Sequence, residues 1–387
     1  MTLMQRYPSV ADLERRARRR IPRFAWDYLA GGSGQERLVG RNREAFDRVL
    51  MTPRFFVDIA DTDLSVEVFG TRYAMPIGVA PIGQAGLVWP GVEAMLARAA
   101  KNAGIPYLLS TVSTAVMEEI GAIGGDHAWF QLYPPADRAI EKDLIARAQA
   151  SGFGAMIVTI DVPVQARRLR DIRNGFSVPP RINWLNVVQA ALAPAWSIAT
   201  LRHGLPYFRT VEPYVDDKSD MKESVTFLRD QFTGPMSREH FGEIRRQWQG
   251  PLIVKGIQHP DDARLVVELG ADGIIVSNHG GRQLDGERAT IDVLPDIVEA
   301  VGDTTTVMLD SGIRTGLDVV RGLARGAQFT FSGRSFMFAI AALGEAGGDH
   351  VVQILREELL HVLGELGCPR AADMDAAWLA APWSSDG

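Results

Sequence analysis

The chain lacks residues on which several classes of protein depend. Cys368 is the only cysteine among 387 residues, so an internal disulfide and a metal cluster held by thiolates are both excluded. A single cysteine favours a reducing compartment, and we expect a cytoplasmic protein. Residues 1–10 hold no apolar run of the kind that a secretory signal needs. Excess positive charge is missing too: the chain has 41 Lys and Arg against 47 Asp and Glu, which argues against nucleic acid as the main partner.

One uncharged stretch of 18 residues, 184–201, approaches the length of a membrane span. Pro194 and the polar side chains within it argue against a span. Two interpretations remain open. The stretch lies in a membrane interface or docks on a partner, or it is a lid that packs over an active site. The arginine cluster in residues 14–20 is interpreted as a solvated helix face, with contact to an anionic membrane surface as the alternative.

Short apolar runs separated by helical stretches determine the predicted fold. The eight predicted strands cover residues 76–81, 107–111, 129–133, 155–161, 252–255, 273–277, 306–310 and 329–334. Helices are predicted between most of them, at 92–103, 137–151, 260–269 and 317–325. Such alternation is typical of a (β/α)8 TIM barrel. An open doubly wound sheet is the alternative, but no Gly-x-Gly-x-x-Gly follows the first strand.

The spacing of these elements predicts one domain over 1–387 with additions to the barrel. Residues 1–75 form an N-terminal helical extension in which Ser9 caps one helix, Pro22 begins a second and Gly31 ends it. A long gap after the fourth strand, residues 162–251, indicates an insertion, which we place at 176–245. Residues 346–387 are predicted as C-terminal helices.

Polar residues recur where the apolar runs end. They are Gln131, Tyr133, Thr159, Asp161, Lys255, Ser277, His279, Asp310 and Arg334. In a barrel the C-terminal ends of all strands share one face, where active sites are built. We therefore expect these side chains to surround one site.

Residues 277–285 combine a candidate base with a candidate anion clamp. His279 and Arg282 are separated by Gly280 and Gly281, which leave space for a substrate. Asp161 would orient His279 and stabilise its charged form. Arg168 could form a second arm closing on a carboxylate.

The loops after strands seven and eight predict a phosphate site, with glycine backbone and Arg334 as the donors. Lys255 either neutralises charge that develops on a cofactor or enolate, or forms a Schiff base.

The stretch Ser277-Asn278-His279-Gly280-Gly281-Arg282-Gln283-Leu284-Asp285 closely resembles the FMN-dependent (S)-2-hydroxy-acid oxidase and dehydrogenase family. Residues 252–257 and 310–314 share the resemblance, which extends from about Leu13 to Gly367. It implies FMN as cofactor and oxidation of a 2-hydroxy acid, of the L-lactate or mandelate type, to the 2-oxo acid.

The resemblance also implies a role for each matching residue. His279 would be the base supported by Asp161, and Arg168 and Arg282 would bind the substrate carboxylate with help from Tyr28 and Tyr133. The implied FMN positions are Pro81, Ile82, Gly83, Ser110, Gln131, Thr159, Lys255, Ser277, Asp310, Ser311, Gly312, Arg314, Gly333 and Arg334. We do not expect a metal ion. The resemblance suggests a homotetramer.

Details of the sequence bear on the branch of the family. Gly83 stands where several oxidases have alanine, and Val112 replaces a tryptophan of glycolate oxidases, which should enlarge the pocket. The insertion resembles that of dehydrogenases which dock on a membrane and reduce quinone. Residues 88–91 depart from the family's usual pattern and leave the first loop's role open.

We expect a dehydrogenase that passes electrons to quinone or another acceptor, with peripheral contact to the inner face of the cytoplasmic membrane through 184–201. A soluble oxidase that makes hydrogen peroxide from O2 is the alternative, and a flavin-binding module without turnover is a third hypothesis.

Overall fold

The computed structural model describes residues 1–175, 183–215 and 221–380. Within this part of the chain the strands are β1 (Val66–Val68), β2 (Thr71–Tyr73), β3 (Ile77–Val79), β4 (Tyr107–Ser110), β5 (Ala128–Leu132), β6 (Ala155–Thr159), β7 (Leu252–Ile257), β8 (Gly273–Val276), β9 (Thr306–Leu309) and β10 (Phe329–Ser332).

The helices of the described residues alternate with these strands and extend the barrel at both chain ends. They are α1 (Leu3–Arg6), α2 (Val10–Arg20), α3 (Arg23–Ala30), α4 (Arg37–Asp47), α5 (Val92–Ala103), α6 (Met117–Gly124), α7 (Arg138–Ala150), α8 (Leu169–Arg173), α9 (Trp184–Ala191), α10 (Pro194–His203), α11 (Met221–Gln231), α12 (Arg238–Gln247), α13 (Pro260–Glu268), α14 (Thr290–Val301), α15 (Gly316–Ala324), α16 (Arg334–Leu343) and α17 (Ala346–Leu366).

The strands β3 to β10 form a closed parallel barrel in chain order. Closure is made by β10, where Thr330 pairs with Ile77 of β3. The strands read as continuous apolar runs because they are buried on both faces, as in other parallel sheets covered by helices. The (β/α)8 barrel predicted from the alternation is confirmed, and the open-sheet alternative is wrong because no edge is left between β10 and β3.

The N-terminal segment holds one element that the sequence did not indicate. Strands β1 and β2 form an antiparallel hairpin within the segment expected to be helical. The ring of Phe69, in the hairpin turn, lies 6.0 Å from the ring of Trp129, so the hairpin packs against the barrel interior. The helical prediction upstream is confirmed: Ser9 accepts a hydrogen bond from the Asp12 N–H at 3.2 Å and caps α2, while α3 follows Pro22 and ends before Gly31.

Helices α9 and α10 of the insertion lie over the barrel mouth and have two different faces. On the inner face, Trp196 donates from its indole nitrogen to the Leu87 carbonyl at 3.1 Å, and Gln189 accepts from the Phe24 N–H at 2.9 Å. On the outer face, Trp184, Leu192 and Leu201 are 71%, 79% and 85% exposed. Of the predicted insertion, 176–182 and 216–220 lie outside the described residues. No helix in the described part of the chain is both long and apolar enough to cross a membrane.

Aromatic side chains fill one region of the core. Phe329, at the start of β10, is fully buried, and its ring lies 5.6 Å from Tyr73 and 5.3 Å from Phe331. These contacts join the hairpin to the barrel, and tightly packed rings of this kind leave a cavity when one is removed.

We predict that Phe329→Ala lowers the free energy of unfolding by about 3–5 kcal/mol, because both the transfer and the cavity terms apply. Phe55→Ala is the matched control, since Phe55 is 73% exposed. It should change stability by less than about 0.5 kcal/mol. Denaturant unfolding of the holoprotein measures both, and equal effects of the two variants would contradict the placement of Phe329.

Candidate active site

The C-terminal ends of the barrel strands surround a cavity of about 650 Å³ beneath the insertion helices. Most of the residues predicted from the sequence line it: Tyr28, Pro81, Ile82, Gly83, Tyr133, Thr159, Arg168, Lys255, His279, Arg282, Asp310, Ser311, Gly312, Arg314, Gly333 and Arg334. The other four, Ser110, Gln131, Asp161 and Ser277, are buried and contact each other or residues of the cavity wall. The structure therefore brings the whole predicted set together.

His279 lies directly after β8 and is held from both sides of its ring. Its Nδ1 is 2.8 Å from Asp161 Oδ1, and its Nε2 is 3.3 Å from the Tyr133 hydroxyl. Burial lowers the pKa of His279, and repulsion from Lys255 adds to this, while Asp161 opposes both. His279 is therefore neutral near pH 7, with Nδ1 donating to Asp161 and Nε2 left as an acceptor.

The turn that carries His279 has three consecutive residues with positive φ, at 55°, 67° and 77° for His279, Gly280 and Gly281. The two glycines were expected to make room for substrate. A Cβ at Gly281 would instead stand 3.0 Å from Val39 on α4, and one at Gly280 would stand 3.1 Å from the Arg334 guanidinium. The expectation is wrong for Gly281, which permits a left-handed turn packed against α4.

Lys255 lies at the centre of a buried charge cluster. Its Nζ donates to Ser277 Oγ at 2.8 Å and is 3.6 Å from a carboxylate oxygen of both Asp161 and Asp310. Burial alone would lower the pKa of Lys255, but the two carboxylates outweigh it and the pKa is raised. A Schiff base requires a neutral amine, so this geometry argues against the Schiff-base alternative.

Asp161 is the carboxylate that contacts both His279 and Lys255. Burial would raise its pKa, yet His279 and Lys255 outweigh burial and hold the pKa below its usual range. The carboxylate is therefore charged when His279 is neutral. Gly256, at the bulge of β7 with φ of 106°, makes this close packing possible, because a Cβ there would lie 2.6 Å from the Asp161 Cβ.

Arg282, Arg168 and Tyr28 form the opposite wall. Arg282 donates to the carbonyls of Tyr28 and Gly31 at 2.6 and 3.1 Å, and its guanidinium lies 4.8 Å from the Tyr28 ring. The Tyr28 hydroxyl donates to the Gly83 carbonyl at 2.7 Å. Arg168 reaches the Arg282 carbonyl at 3.5 Å. Two guanidinium groups and a phenol thus face the same space as His279.

Two buried polar atoms on neighbouring strands have no hydrogen-bond partner among the described residues. They are Gln131 Nε2 at the end of β5 and Thr159 Oγ1 at the end of β6. The other side of the Gln131 amide is occupied, since its Oε1 accepts from Ser110 Oγ at 2.8 Å. Buried polar groups are normally satisfied, so these atoms indicate a polar ligand.

The expected phosphate end is built differently from the sequence prediction. The Arg334 guanidinium donates to the carbonyls of Leu29, Gly280 and Gly31 at 3.0, 2.9 and 2.8 Å, so its side chain ties backbone segments together. These contacts occupy three of the five guanidinium N–H donors, and the predicted role of Arg334 as a charged fork for a phosphate stays a prediction. Arg314 lines the same cavity, and burial together with Arg43 lowers its pKa to about 10, which leaves it charged. Helix α16 begins at Arg334, and the backbone N–H groups of its first turn are further donors for a phosphate.

Comparison with protein-family models matches residues 17–381 to the FMN-dependent dehydrogenases. The chain belongs to this family. It is similar to the L-lactate dehydrogenase of Caulobacter vibrioides (strain NA1000 / CB15N), with 39% identity over 373 residues that cover 96% of this chain and 97% of the relative. The L-lactate dehydrogenase of Pseudomonas syringae pv. syringae is 38% identical over 375 residues, 96% and 98% of the two chains.

Solved structures agree with the family. The monotopic membrane protein (S)-mandelate dehydrogenase superposes with a TM-score of 0.91 at 34% identity, over 97% of this chain and 99% of that one. Mandelate oxidase with benzoyl-formic acid gives 0.80 at 38% identity, over 97% and 98%. The resemblance drawn from residues 277–285 is confirmed, and this FMN-dependent dehydrogenase is an oxidoreductase.

The residues present fit FMN. The unpartnered Gln131 amide and Thr159 hydroxyl match a ring that carries both carbonyl and N–H groups. Lys255 supplies a fixed positive charge beside them. Arg314 and the start of α16 provide charge and N–H donors suited to a phosphate.

Among the cavity residues that the sequence did not indicate, one carries a charge next to the predicted arginines. Asp171, on α8, lines the cavity, and its carboxylate lies 3.9 Å from the Arg168 guanidinium. The signal was its position three residues after Arg168, the N-cap residue of α8, which brings the two side chains close together.

We predict that Thr159→Val weakens FMN binding about fivefold to tenfold and leaves the apoprotein as stable as before or more so, because the hydroxyl has no hydrogen-bond partner to lose among the described residues. Thr330→Val is the matched control: Thr330 donates to the Pro76 carbonyl at 2.7 Å, so it should destabilise the apoprotein. Flavin titration and thermal unfolding measure the two effects. A destabilised Thr159→Val apoprotein with unchanged FMN affinity would refute the assignment.

Proposed function

We propose that this FMN-dependent dehydrogenase oxidises an (S)-2-hydroxy acid of the L-lactate or mandelate type to the 2-oxo acid, with His279 as the base. The observation that carries the proposal is the position of His279, held between Asp161 and Tyr133 in one cavity with Arg168 and Arg282. A base beside two guanidinium groups suits a substrate that carries an acidic proton and a carboxylate. The names of the relatives support the same class of substrate.

His279 would accept the substrate proton at Nε2. Its Nδ1 remains bonded to Asp161, whose negative charge stabilises the imidazolium that results. Bound FMN supplies the two-electron oxidation. Burial raises the pKa of Tyr133, so its hydroxyl stays protonated and can donate to a substrate oxygen.

Arg168 and Arg282 would bind the substrate carboxylate and orient the hydroxyl-bearing carbon toward His279. Arg282 is fixed by the Tyr28 and Gly31 carbonyls, so its direction is set before substrate arrives. The Tyr28 hydroxyl, now bonded to the Gly83 carbonyl, can turn to the carboxylate in the complex. Lys255 would add positive charge at the ring end of FMN.

The acid's side chain would occupy the apolar part of the cavity. Val112, Phe208, Leu228 and Phe232 line that part and offer no charge to a distal group. Both a methyl and a phenyl group would fit in a cavity of about 650 Å³ that FMN would fill in part. We therefore keep lactate and mandelate as the two representative substrates.

Quinone or another acceptor, and not O2, is the proposed destination of the electrons. The supporting observation is at Gly83, the position where several oxidases have alanine. An alanine Cβ here would lie 2.5 Å from Val112 Cγ2 and would not fit without movement of Val112. The alternative, an oxidase producing hydrogen peroxide, is separated by comparing reoxidation in air with reoxidation by quinone.

The outer face of α9 and α10 is the proposed contact with the inner face of the cytoplasmic membrane. Large apolar side chains cluster there beside the active-site cavity, while the inner face of the same helices packs on the barrel. The lid and interface interpretations are thus compatible, because they use opposite faces. A homotetramer stays a prediction from the family resemblance.

We predict that His279→Ala retains FMN while flavin reduction by substrate slows about a hundredfold to ten-thousandfold. In the parent protein the reduction rate should rise with pH as His279 loses its proton, with a midpoint below the ordinary value of about 6.5, since burial lowers its pKa. Stopped-flow absorbance over a pH series tests both. His361→Ala, at an exposed histidine, is the control. Near-normal reduction in His279→Ala rules out the assigned base.

For the membrane contact, the triple variant Trp184→Ser, Leu192→Ser, Leu201→Ser should bind phospholipid vesicles more than about tenfold more weakly, because three large side chains no longer leave water. Leu284→Ser, at a side chain that is 64% exposed elsewhere, should change nothing. Vesicle sedimentation is the measurement, with activity toward a water-soluble acceptor as a check on folding. Unchanged sedimentation of the triple variant would exclude this face.

A further inference from the structure

Six charged residues form a cluster behind and along the carboxylate-binding wall of the cavity. They are Arg168, Arg170 and Arg282 with Asp27, Glu36 and Asp171. The formal charges balance when substrate is absent, but they are not distributed evenly. How they pair determines what charge a ligand meets.

Arg170 is committed to two of the carboxylates. Its guanidinium contacts Glu36 and lies 3.6 Å from Asp27 Oδ1. Asp27 also accepts from the Asn174 amide at 3.0 Å. This group lies outside the cavity lining, so its charges are largely neutralised away from the substrate.

Asp171 is the carboxylate whose negative charge offsets the positive charge of the two cavity arginines, Arg168 and Arg282. It is 9% exposed and lines the cavity together with Arg168 and Arg282. Its Oδ2 lies 3.9 Å from the Arg168 guanidinium. Two guanidinium groups with one carboxylate leave one net positive charge on this wall.

The opposite wall adds no net positive charge, and Arg229, which also lines the cavity, is paired with Asp230 at 2.6 Å. Lys255 is flanked by Asp161 and Asp310, each 3.6 Å from its Nζ, so this group carries a formal charge of −1 while His279 is neutral. A ligand with two negative charges would therefore have only one of them compensated. An uncompensated charge in a buried cavity is costly.

We infer that Asp171 is a specificity-determining residue: it sets the net charge of the arginine pair so that the site binds a carboxylic acid with one negative charge and disfavours dianions. This inference rests on the proposed function, in which Arg168 and Arg282 receive the substrate carboxylate. It narrows the substrate class to 2-hydroxy monocarboxylic acids with an uncharged side chain.

A linkage to protons accompanies this arrangement. Burial raises the pKa of Asp171. The negative charges of Asp27 and Glu36 raise it further, while the positive charges of Arg282 and Arg168 lower it. A bound carboxylate raises this pKa further, so binding takes up a proton where Asp171 is ionised. Affinity for a monoanion is then highest at low pH and falls as Asp171 ionises. His279, in the same cavity, also binds anions better when protonated, so only the part of the pH dependence lost in Asp171→Asn belongs to Asp171.

The test uses two ligands of nearly identical shape, oxalate with two charges and oxamate with one. Asp171→Asn holoprotein should show an oxalate-to-oxamate affinity ratio about tenfold higher than the parent, because the wall gains one net positive charge. Changes in flavin absorbance report both dissociation constants. An unchanged ratio, or a parallel loss of affinity for both ligands, overturns the inference and makes Asp171 a packing residue.

Three further variants sharpen the result. Asp27→Asn removes a similar carboxylate, but one paired with Arg170, and should shift the ratio less than about twofold. Asp171→Glu keeps the charge and should keep the parent ratio. Asp171→Ser removes the charge with a different side chain and should reproduce the shift of Asp171→Asn. If no 2-hydroxy acid reduces the flavin of the parent holoprotein, but Asp171→Asn still raises the oxalate-to-oxamate affinity ratio as expected, the proposed function is wrong. The role of Asp171 in setting the charge of the arginine pair would then stand.

Discussion

The site depends on the way one buried carboxylate, Asp161, is shared by His279 and Lys255. Together with Asp310 it raises the pKa of Lys255 in a place where burial alone would lower it. The same carboxylate fixes Nδ1 of His279 as a donor and leaves Nε2 free to accept a proton. Because breaking a buried pair exposes an uncompensated charge, each member constrains the others, and the barrel supplies the rigid ends that hold them.

Much of this could be predicted from the sequence because strand periodicity and barrel geometry are strong constraints. The predicted helix at 92–103 matches α5, and the predicted polar set converges on one cavity. The hairpin of β1 and β2 could not be predicted, since three-residue strands are too short to show a period. Arg334 was assigned to phosphate from its loop, but only coordinates reveal that three backbone carbonyls occupy its guanidinium. Asp171 was missed because its role arises from charges on three separate segments.

The segment 184–201 shows why sequence left two interpretations open. The segment carries no charge, and its polar residues Asn186 and Thr200 are buried while Leu192 and Leu201 are exposed, so polarity does not mark the outer face. In the structure Trp196 is buried and donates to the Leu87 carbonyl of the barrel, while Trp184 and Leu201 are exposed to solvent. This segment can therefore close the cavity and present an apolar surface. In the proposed membrane contact, its position beside the cavity would let a lipophilic electron acceptor reach the cofactor from the membrane.

The most direct test is anaerobic mixing of the purified holoprotein with a panel of (S)-2-hydroxy acids while the absorbance of oxidised flavin is recorded. We expect bleaching by acids with one carboxylate and an uncharged side chain, and little or none by dicarboxylic acids. A bound flavin that a chemical reductant bleaches but that no 2-hydroxy acid bleaches would contradict the central claim, because the cofactor would be competent while the site around His279 was not.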